Sequence, residues 1–361
     1  MRTSRRDLLT GMPAVLAAAA GADTASPVVR LPRKIRVALL GLEGHTGEVL
    51  GPLKQLPDVE VVAYYDQEPS LVQRFSRNAA LAKGRSYSDA RQMLDKEQLD
   101  VVGVCNRNHE HAQAILECMG RGLHVIAEKP IATEFKDLER IRAAVEKGPA
   151  RLTSMHPMRY SAPYKALKKI VDSGEIGEVV QMDAQKSYKV GNRLPWWYQR
   201  ETYGGTLPWI GIHMVDLMLF TSGRDLVEAA TFQNHIGFPE TGDTENVTGT
   251  VFRMDNGGVA LLRMDYLRPQ KAVTHGDDRL RLAGTKGIAE YMAATGVTVV
   301  SNARAQEVVR DLPAEGSLFV EFLDWIYNNK PMSLSWKEIY RGHQIVLGAR
   351  EAGEKHRIVK L

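Results

Sequence analysis

The chain of 361 residues has little cysteine and no strong excess of charge of either sign. Its two cysteines, Cys105 and Cys118, would tie a strand end to a nearby helix, so we expect structural disulfides to play no part. The formal net charge is only +4, and the basic residues form no tract with interleaved aromatic residues. This pattern argues against a nucleic-acid partner. The length favours two domains.

The apolar run near the start of the chain is too short to span a bilayer as a permanent helix. It covers residues 11–20, follows the twin arginine Arg5-Arg6 and precedes the small residues Ala20-Gly21-Ala22. That order resembles a twin-arginine export signal in residues 1–26, the alternative being an alanine-rich tail. We therefore expect export in folded form to the periplasm or the cell exterior, with no membrane attachment after signal removal.

Residues 34–155 alternate short apolar runs with helical segments. The predicted strands are Ile35–Leu40, Val59–Tyr65, Leu99–Val104 and His124–Ala127, and the predicted helices are Glu48–Leu56 and Glu110–Arg121. Regular alternation of strand and helix is typical of a doubly wound parallel sheet. The sequence therefore predicts an α/β domain in this part of the chain.

Residues 156–361 contain longer predicted strands joined by turn signals such as Asp255-Asn256-Gly257-Gly258. These strands are Glu178–Gln185, Leu226–His235, Glu245–Met254, Val259–Leu267 and Arg279–Ala283, and helices are predicted over Glu315–Asn329 and Trp336–Glu354. Short turns favour antiparallel pairing. We expect a second α/β domain built on a mostly antiparallel sheet.

A glycine pattern, Gly41-x-x-Gly44-x-x-Gly47, follows the first strand and opens a helix. Gly41 permits the tight turn, Gly44 lets the backbone approach a pyrophosphate, and Gly47 lets the helix pack closely. Phosphates bind the free N–H groups at such a helix start. The loop is one residue longer than the usual G-x-G-x-x-G. We take these glycines, with His45 and Thr46, as candidate cofactor-binding residues.

Asp66 ends the second strand, where an acid can accept hydrogen bonds from an adenosine ribose. The residues after it, Gln67-Glu68-Pro69, include no arginine for a 2′-phosphate. The sequence therefore favours NAD over NADP. Glu43 is an acid inside the phosphate loop, so it must point outward or it weakens cofactor binding.

A polar run from Asn106 to His111 follows another predicted strand, at the edge where ligands bind in this architecture. Asn106, Asn108 and His109 are candidate cofactor contacts. The alternative is helix capping by Asn108 with exposed histidines. His109 and His111 are two residues apart and share no helical face, and the other histidines lack ligand spacing, so we expect no metal site.

Lys129 and His213 are the candidate acid/base residues. Lys129 precedes a proline at a strand end. If burial lowers the pKa of Lys129, its amine can act as a proton donor to a substrate hydroxyl or ketone. The alternative is a solvated surface lysine. If residues 207–220 form a helix, Trp209, His213 and Asp216 share a face. Asp216 would then orient the imidazole, and Trp209 would stack on a sugar or nicotinamide ring. The alternative is a core histidine beside a core tryptophan, with Asp216 exposed.

Taken together, these motifs resemble the Gfo/Idh/MocA family of oxidoreductases from about Lys34 to the C-terminus. The resemblance rests on the glycine loop, Asp66, Asn108-His109-x-His111, Glu128-Lys129-Pro130, Met158-Arg159-Tyr160 and Gly211-x-His213-x-x-Asp216. It implies an N-terminal Rossmann domain and a C-terminal α/β domain whose large open sheet often forms an oligomer interface, so we expect a homo-oligomer. It also implies that Glu128 and Lys129 lie at the cofactor, that Lys129 anchors the substrate and that His213 is the general acid/base. This chain has Trp209 where the family usually carries an aspartate.

The resulting hypothesis is an exported NAD-dependent oxidoreductase acting on a sugar or polyol by hydride transfer. Because an exported enzyme cannot rely on a cytoplasmic NAD pool, we expect a tightly bound, recycled cofactor. The candidate substrate contacts are Arg159, Tyr160, Lys186, Trp196, Trp197, Tyr203, Trp209 and Asp216. Two alternatives stay open: a glycosidase or lyase that uses NAD transiently, and a non-catalytic nucleotide- or sugar-binding protein.

Overall fold

Two β-sheets organise the part of the chain that the structure, a computed structural model, describes, residues 27–361. The predicted export signal in residues 1–26 lies outside the described residues. Within residues 27–361, no helix has both the length and the apolar character needed to cross a membrane. Cys105 and Cys118 are both buried and free.

The first sheet is parallel, as predicted, and lies in the N-terminal half. Its strands are β1 (Ile35–Leu40), β2 (Val59–Tyr65), β3 (Arg85–Tyr87), β4 (Val101–Val104), β5 (His124–Ala127) and β6 (Leu152–Ser154), in the spatial order β3-β2-β1-β4-β5-β6. The strand order reverses direction between β1 and β4, which opens a crevice at the carboxyl ends of these strands. The bounds predicted for β1, β2 and β5 are those observed. The short β3 and β6 were not predicted.

Helices cover both faces of this sheet. They are α1 (Gly47–Leu50), α2 (Pro69–Phe75), α3 (Ala90–Lys96), α4 (His111–Gly120) and α5 (Phe135–Lys147). The predicted helix over residues 48–56 is shorter than expected, because α1 gives way to a 3₁₀ turn at Gly51–Gln55. Pro52 lies in that turn and has no backbone N–H with which to continue an α-helix.

The second sheet has nine strands and is mostly antiparallel. They are β7 (Val179–Tyr188), β8 (Leu226–Asn234), β9 (Val247–Met254), β10 (Val259–Asp265), β11 (Gly276–Gly284), β12 (Gly287–Met292), β13 (Gly296–Ser301), β14 (Arg304–Val308) and β15 (Val359–Lys360). Their spatial order is β14-β13-β12-β11-β7-β10-β9-β8-β15. The pair β7–β10 is parallel, which the turn signals alone did not predict.

Residues 156–361 also form five helices. These helices are α6 (Ala162–Asp172), α7 (Arg200–Tyr203), α8 (Ile212–Ser222), α9 (Leu318–Asn328) and α10 (Trp336–Lys355). Although α9 follows the second sheet in sequence, its Phe319 and Phe322 lie in the core of the first domain. One end of α10 joins that core through Ile339, and its middle joins the second core through Ile345. The two domains are therefore held together by packed helices.

Candidate active site

Lys129 leaves the carboxyl end of β5 where the first domain meets the second. The Lys129–Pro130 peptide bond is cis. The lysine Nζ donates a hydrogen bond to the carbonyl oxygen of Trp209 at 2.7 Å and lies 3.8 Å from the centre of the Trp209 ring. The turn that carries Trp209 leads directly into α8 and His213. The fold thus brings the segments that carry the two predicted acid/base residues together.

Lys129 is buried, and burial lowers its pKa to about 8. The carboxylate of Glu128, with Oε1 3.6 Å from the lysine Nζ, opposes this decrease, whereas the charges of Lys186 and Arg193 add to it. A lysine with this pKa exchanges its proton close to neutral pH. The predicted desolvation of Lys129 is therefore observed, and the solvated-surface alternative is not.

His213 lies buried near the start of α8. Burial lowers its pKa well below the ordinary histidine value, and the charge of Lys129 lowers it further. The imidazole is therefore neutral near pH 7, and its Nδ1 has no hydrogen-bond partner within residues 27–361. The ring of His45 meets it edge-on, with 5.4 Å between ring centres. A neutral imidazole near a lysine of lowered pKa is suited to accept a proton from a hydroxyl group.

Glu128 connects the lysine to the glycine loop. Its Oε2 accepts a hydrogen bond from the backbone N–H of His45 at 2.9 Å and lies 2.8 Å from the Nδ1 of that histidine. Burial opposes ionisation of Glu128, but His45 and Lys129 together lower its pKa to about 2. A Cβ atom at Gly44, whose φ is +58°, would lie 2.7 Å from the Glu128 side chain. Glycine is therefore required where the loop meets this carboxylate.

The rest of the glycine loop follows the prediction at one end and departs from it at the other. A Cβ atom at Gly41 would lie 2.2 Å from the backbone nitrogen of Asn106, so the tight turn needs glycine. The predicted close packing at Gly47 is wrong, since a Cβ atom there would meet no described atom within 4 Å. Thr46, directly before α1, is buried. The helix start is therefore open on the side of Gly47.

Asp66 ends β2 beside this loop, as predicted. Its two carboxylate oxygens accept hydrogen bonds from the backbone N–H groups of Leu42 and Glu68, each at 2.7 Å. Burial raises the pKa of Asp66, and these two hydrogen bonds oppose the increase. The acid is thereby held at the end of the strand with its orientation fixed.

Asn106 and Asn108 lie at the carboxyl end of β4, on the opposite side of the crevice. The Nδ2 of Asn108 donates to the carbonyl oxygen of Tyr203 at 2.7 Å, which links the two domains. The Oδ1 atoms of both asparagines are buried and have no partner in the described part of the chain. His109 is partly exposed and lies 3.8 Å from Glu110.

Sequence reasoning missed two neighbours of these asparagines. His111 is buried, with its ring nitrogens 2.7 and 2.8 Å from the carbonyl oxygens of Pro130 and Asn106, so the alternative of exposed histidines fails for it. Burial raises the pKa of Asp66, and the charge of Arg107 opposes this increase. Arg107 follows β4 at the edge where β2 ends, and that position could have identified it.

The sequence argument was that Glu43 must point outward or it weakens cofactor binding. In the structure Glu43 points toward the second domain instead. Both of its carboxylate oxygens lie 3.0 Å from the indole Nε1 of Trp196, which belongs to the second domain. Burial raises the pKa of Glu43 to about 7. Trp196 in turn meets Trp209 edge-on, with 6.1 Å between ring centres. These two tryptophans therefore form an aromatic wall beside Lys129.

Three other predicted substrate contacts, Lys186, Trp197 and Tyr203, are buried inside the second domain. Trp197 and Tyr203 are buried in the core of the second domain, and the Tyr203 hydroxyl lies 2.7 Å from that of Tyr266. Lys186 is fully buried, and its Nζ donates to Asp278 Oδ2 at 3.0 Å. The charge of Lys186 still lowers the pKa values of both predicted acid/base residues. Its effect on the site is therefore electrostatic.

One further prediction was wrong. Asp216 does not orient the His213 ring, because Arg159 donates to Asp216 Oδ2 at 3.1 Å and His156 Nδ1 lies 3.4 Å from Oδ1. A guanidinium forms the stronger, charge-assisted pair with a carboxylate. Arg159 is thereby occupied, and so is Tyr160, whose hydroxyl donates to Glu321 at 2.6 Å.

The segment before α8 also differs from its prediction. It is a π-helical turn over Leu207–Gly211 and not the first turn of a continuous α-helix. A π turn has more residues per turn than an α-helix, so Trp209 and His213 lose the predicted α-helical alignment. Lys129 instead holds Trp209 at the junction of the domains.

Known proteins share both domains of this chain. An oxidoreductase family with an NAD-binding Rossmann fold, Gfo/Idh/MocA, matches residues 35–156, and the C-terminal domain of the same family matches residues 164–290. A solved structure from Thermotoga maritima, assigned as an oxidoreductase, is 30% identical, with a TM-score of 0.86 over 91% of this chain and 100% of that chain. The chain belongs to the Gfo/Idh/MocA oxidoreductase family.

Two further relatives show how widely the Gfo/Idh/MocA fold is used. A myo-inositol 2-dehydrogenase from Thermotoga maritima is 23% identical over 70% of this chain and 74% of that protein. A levoglucosan dehydrogenase, solved with NADH and levoglucosan, is 18% identical, with a TM-score of 0.79 over 91% of this chain and 99% of that chain. The second likeness concerns the fold alone.

The nucleotide crevice of this Gfo/Idh/MocA chain suits a dinucleotide. The space beside Gly47 is open, and the unpaired Oδ1 atoms of Asn106 and Asn108 are buried at the crevice. Asp66 stands at the neighbouring strand end, where a ribose binds in this architecture. The residues present therefore fit an NAD-type cofactor. Within residues 27–361, no group of three or more histidine, cysteine or acidic side chains is placed to hold a metal ion.

Proposed function

We propose that this chain is an NAD-dependent oxidoreductase that oxidises a secondary alcohol of a sugar or related polyol, or reduces the corresponding ketone. The observation that carries the proposal is the contact between the two domains at Lys129, which bonds to the turn leading into His213. Bound NAD supplies the hydride acceptor. The myo-inositol 2-dehydrogenase among the relatives supports the substrate class.

The acid and base roles follow from the protonation states. His213, whose pKa is well below its ordinary value, is the group that accepts the hydroxyl proton. Lys129, with a pKa of about 8, is mostly protonated at neutral pH and binds the substrate oxygen. Glu128 holds Lys129 in place and balances its charge. In the reverse direction, protonated His213 returns the proton to the alkoxide.

The aromatic wall supports a carbohydrate substrate. Trp196 and Trp209 meet edge-on close to the amine of Lys129. The apolar C–H face of a sugar or cyclitol ring packs well against an indole, while its hydroxyl groups bond to polar neighbours. We therefore propose that Trp209 contacts the ring of the substrate and Lys129 the reacting oxygen.

The preference for NAD over NADP is part of the proposal. Asp66 favours a free ribose 2′-hydroxyl, whereas Arg107, whose charge acts on Asp66, would favour a 2′-phosphate. Because Asp66 is buried and held by two backbone N–H groups, we expect it to dominate. Titration calorimetry with both nucleotides tests this expectation. Tighter binding of NADP would assign the deciding role to Arg107.

We also propose export with the cofactor already bound, on the basis of the leader-like residues 1–26. An exported enzyme has no cytoplasmic NAD pool, so the cofactor would be regenerated within each catalytic cycle. The test is nucleotide release on denaturing protein from a host that can export it, read by mass and absorbance. Stoichiometric NAD or NADH is expected. A protein that is empty and binds neither NAD nor NADP would contradict both the export proposal and the enzymatic one.

Self-association through the outer face of the second sheet is a further part of the proposal. Phe232, Val251 and Leu261 are exposed on that face, and single exposed apolar residues are common but neighbouring ones are less so. We expect sedimentation equilibrium to show an oligomer that Phe232→Glu dissociates. Phe135→Glu, at an exposed phenylalanine of the first domain, is the control.

The reaction itself is tested by NADH formation with a panel of sugars and cyclitols. Lys129→Met should lower kcat/KM by at least about a hundredfold while leaving NAD affinity within a few-fold of the wild type. Unchanged turnover in this variant would remove Lys129 from the mechanism. Bond cleavage without net NADH would favour the lyase alternative.

A further inference from the structure

One peptide group beside the proposed active site is bound from both sides by buried histidines. It joins Pro130 to Ile131, directly after Lys129. The carbonyl oxygen of Pro130 accepts a hydrogen bond from the Nδ1 of His111, on α4, at 2.7 Å. The backbone N–H of Ile131 donates to the Nε2 of His343, on α10, at 3.0 Å. Both sides of this peptide group are therefore fixed by side chains from distant parts of the chain.

The His343 ring has one tautomer that satisfies both of its nitrogens. Its Nδ1 lies 2.7 Å from the carbonyl oxygen of Ile339, one turn earlier on α10, and that oxygen can only accept. The proton is therefore on Nδ1, and Nε2 is free to accept from Ile131. Burial lowers the pKa of His343 to about 3, so the ring is neutral near pH 7.

Water cannot replace the bond between His343 and Ile131. Both residues are fully buried, and the ring of His156 stacks on His343 with 5.8 Å between ring centres. A buried N–H that loses its acceptor is left unpaired, and the chain shifts to relieve that loss. Such a shift moves Lys129, because only Pro130 separates it from Ile131.

Helix α10 is also bonded to the segment that binds the Lys129 amine. Arg350, two turns further along α10, donates through Nη1 to the carbonyl oxygens of Thr133 at 2.6 Å and Gly204 at 2.9 Å. Thr133 follows Lys129 on the same stretch of chain. Gly204 precedes the turn whose Trp209 carbonyl oxygen accepts from Lys129. Helix α10 therefore holds both chain segments that meet at the lysine.

We propose that His343 is a positioning residue for the reaction, because by accepting the Ile131 N–H it holds the Lys129 amine in its buried place beside Trp209. The inference rests on the proposed function, in which Lys129 binds the substrate oxygen. His343 acts through the backbone and not on the reacting atoms.

The titration of Lys129 reports its placement. If the amine leaves its buried place, water surrounds it, and its pKa rises from about 8 toward the ordinary lysine value. The charges that act on Lys129 are those of Glu128, Lys186 and Arg193. A neutral substitution at the neutral His343 changes none of these charges.

The first measurement needs no variant beyond one for assignment. Nuclear magnetic resonance of the histidine ring nitrogens at neutral pH, with the His343 signals identified by their loss in His343→Gln, should show a proton on Nδ1 and none on Nε2. A ring with a proton on Nε2 could not accept from Ile131 and would overturn the inference.

The second measurement follows Lys129 by resonance of labelled lysine side chains, with its signal assigned through Lys129→Met. The wild-type midpoint is expected at about pH 8. His343→Leu has no acceptor, so the midpoint should rise by at least about one unit. His343→Gln sets a carboxamide oxygen near the place of Nε2 and should keep the wild-type midpoint. His343→Asn sets its carboxamide nearer to Nδ1, out of reach of Ile131, and should behave like His343→Leu.

His124→Leu is the matched control. His124 begins β5, the strand that leads to Lys129, and its Nδ1 also accepts a backbone N–H, that of Arg151, at 3.0 Å. This bond lies at the opposite end of the strand. The variant loses a bond of the same kind, and the Lys129 midpoint should not move.

Kinetics give an independent measurement with any sugar or cyclitol that forms NADH. His343→Leu should lower kcat/KM at least about tenfold and leave NAD affinity within a few-fold of the wild type, and His343→Gln should retain most of the activity. An unchanged kcat/KM in His343→Leu, beside a large loss in Lys129→Met, would contradict the positioning role.

Three titration results would overturn the inference: the midpoint does not rise in His343→Leu, it rises as far in His343→Gln, or it rises equally in His124→Leu. If His343→Leu does not fold, the comparison of His343→Asn with His343→Gln decides. The proposed function fails in a different way. In that case the Lys129 midpoint still follows the acceptor at position 343, but no probe yields NADH and Lys129→Met changes nothing.

Discussion

Two of the buried acids, Glu128 and Asp216, are each flanked by a histidine and a cation. In the first cluster the cation is Lys129, whose pKa burial lowers to about 8. In the second it is Arg159, whose pKa stays above its ordinary value, because Asp216 outweighs the effect of burial. Lys129 can exchange a proton near neutral pH, and Arg159 cannot. The choice of lysine or arginine thus separates a reactive pair from a structural one.

The histidines of the two clusters differ in how much of each side chain is exposed. His45, beside Glu128, keeps 34% of its side chain exposed at the glycine loop, whereas His156, beside Asp216, keeps 1%. Solvent and ligands can therefore reach the first cluster but not the second. The second cluster ties α8 to the turn after β6 and so holds in place the helix that carries His213.

The largest effect should come from breaking the structural cluster. Asp216→Asn leaves Arg159 buried without its main counter-charge, and we expect the free energy of unfolding to decrease by about 3–5 kcal/mol. Urea denaturation measures this loss. Because the pKa of Asp216 is lowered in the folded protein, the stability it contributes is present above the unfolded pKa and is lost as pH falls through the folded one.

Two controls define this prediction. Asp183→Asn, which removes an exposed pair with Arg281, should cost less than about 1 kcal/mol. The double variant Asp216→Leu with Arg159→Met should recover much of the loss, because no buried charge is left unpaired. If Asp216→Asn and Asp183→Asn cost the same, the structural role of the buried pair is wrong.

The next largest effect should be on catalysis alone. His213→Gln keeps a polar side chain of similar size but removes the base, so kcat should decrease by at least about a hundredfold. The free energy of unfolding and the affinity for NAD should change much less than in Asp216→Asn. Steady-state kinetics and urea denaturation on the same preparations separate the two variants. A loss of stability as large as that of Asp216→Asn would make His213 a structural residue.

The sequence alone predicted those parts of the fold that local residue patterns determine. The strands β1, β2 and β5 are short apolar runs bounded by polar residues, and their bounds were predicted correctly. The strands β12 to β14 were missed: β12 and β14 are mostly half-buried or exposed and lack a clear alternation, although β13 alternates the buried Val297 and Val299 with half-buried residues. The packing of α9 in the first core depends on contacts between distant parts of the chain, and no local pattern encodes these.

The site shows the same division. The glycine loop, Asp66 and Lys129 were identified because each follows a predicted strand at one sheet edge. The partner of Asp216 was predicted wrongly, since helical spacing suggests His213 and cannot show that Arg159 comes closer. The contacts of Glu43 with Trp196 and of His343 with Ile131 also join the two domains, so they required the structure.

A smaller effect should appear in the pH profile of the reactive cluster. Glu128 raises the pKa of Lys129, so Glu128→Gln should lower it below about 8. If protonated Lys129 binds the substrate oxygen, kcat/KM decreases as pH rises through this pKa, and the decrease should move to lower pH by about one unit. Glu128→Asp should move it less. An unchanged alkaline limb would show that Lys129 does not titrate in the active form.

Glu43 sharpens the comparison, because it is a half-buried acid whose direct partner is the neutral indole of Trp196. With no cation bonded to it, burial raises its pKa to about 7. As pH rises through that value, Glu43 ionises inside the phosphate loop and should weaken NAD binding by about 1 kcal/mol, or roughly fivefold, between about pH 6 and about pH 8.

Glu43→Gln cannot ionise, so its NAD affinity, measured by calorimetry at low salt, should be flat over this range. Glu60→Gln, at an exposed position on β2, should keep the wild-type dependence. A wild-type affinity that does not change with pH would mean that the Glu43 charge does not reach the cofactor, and the contact with Trp196 would then serve only to join the domains.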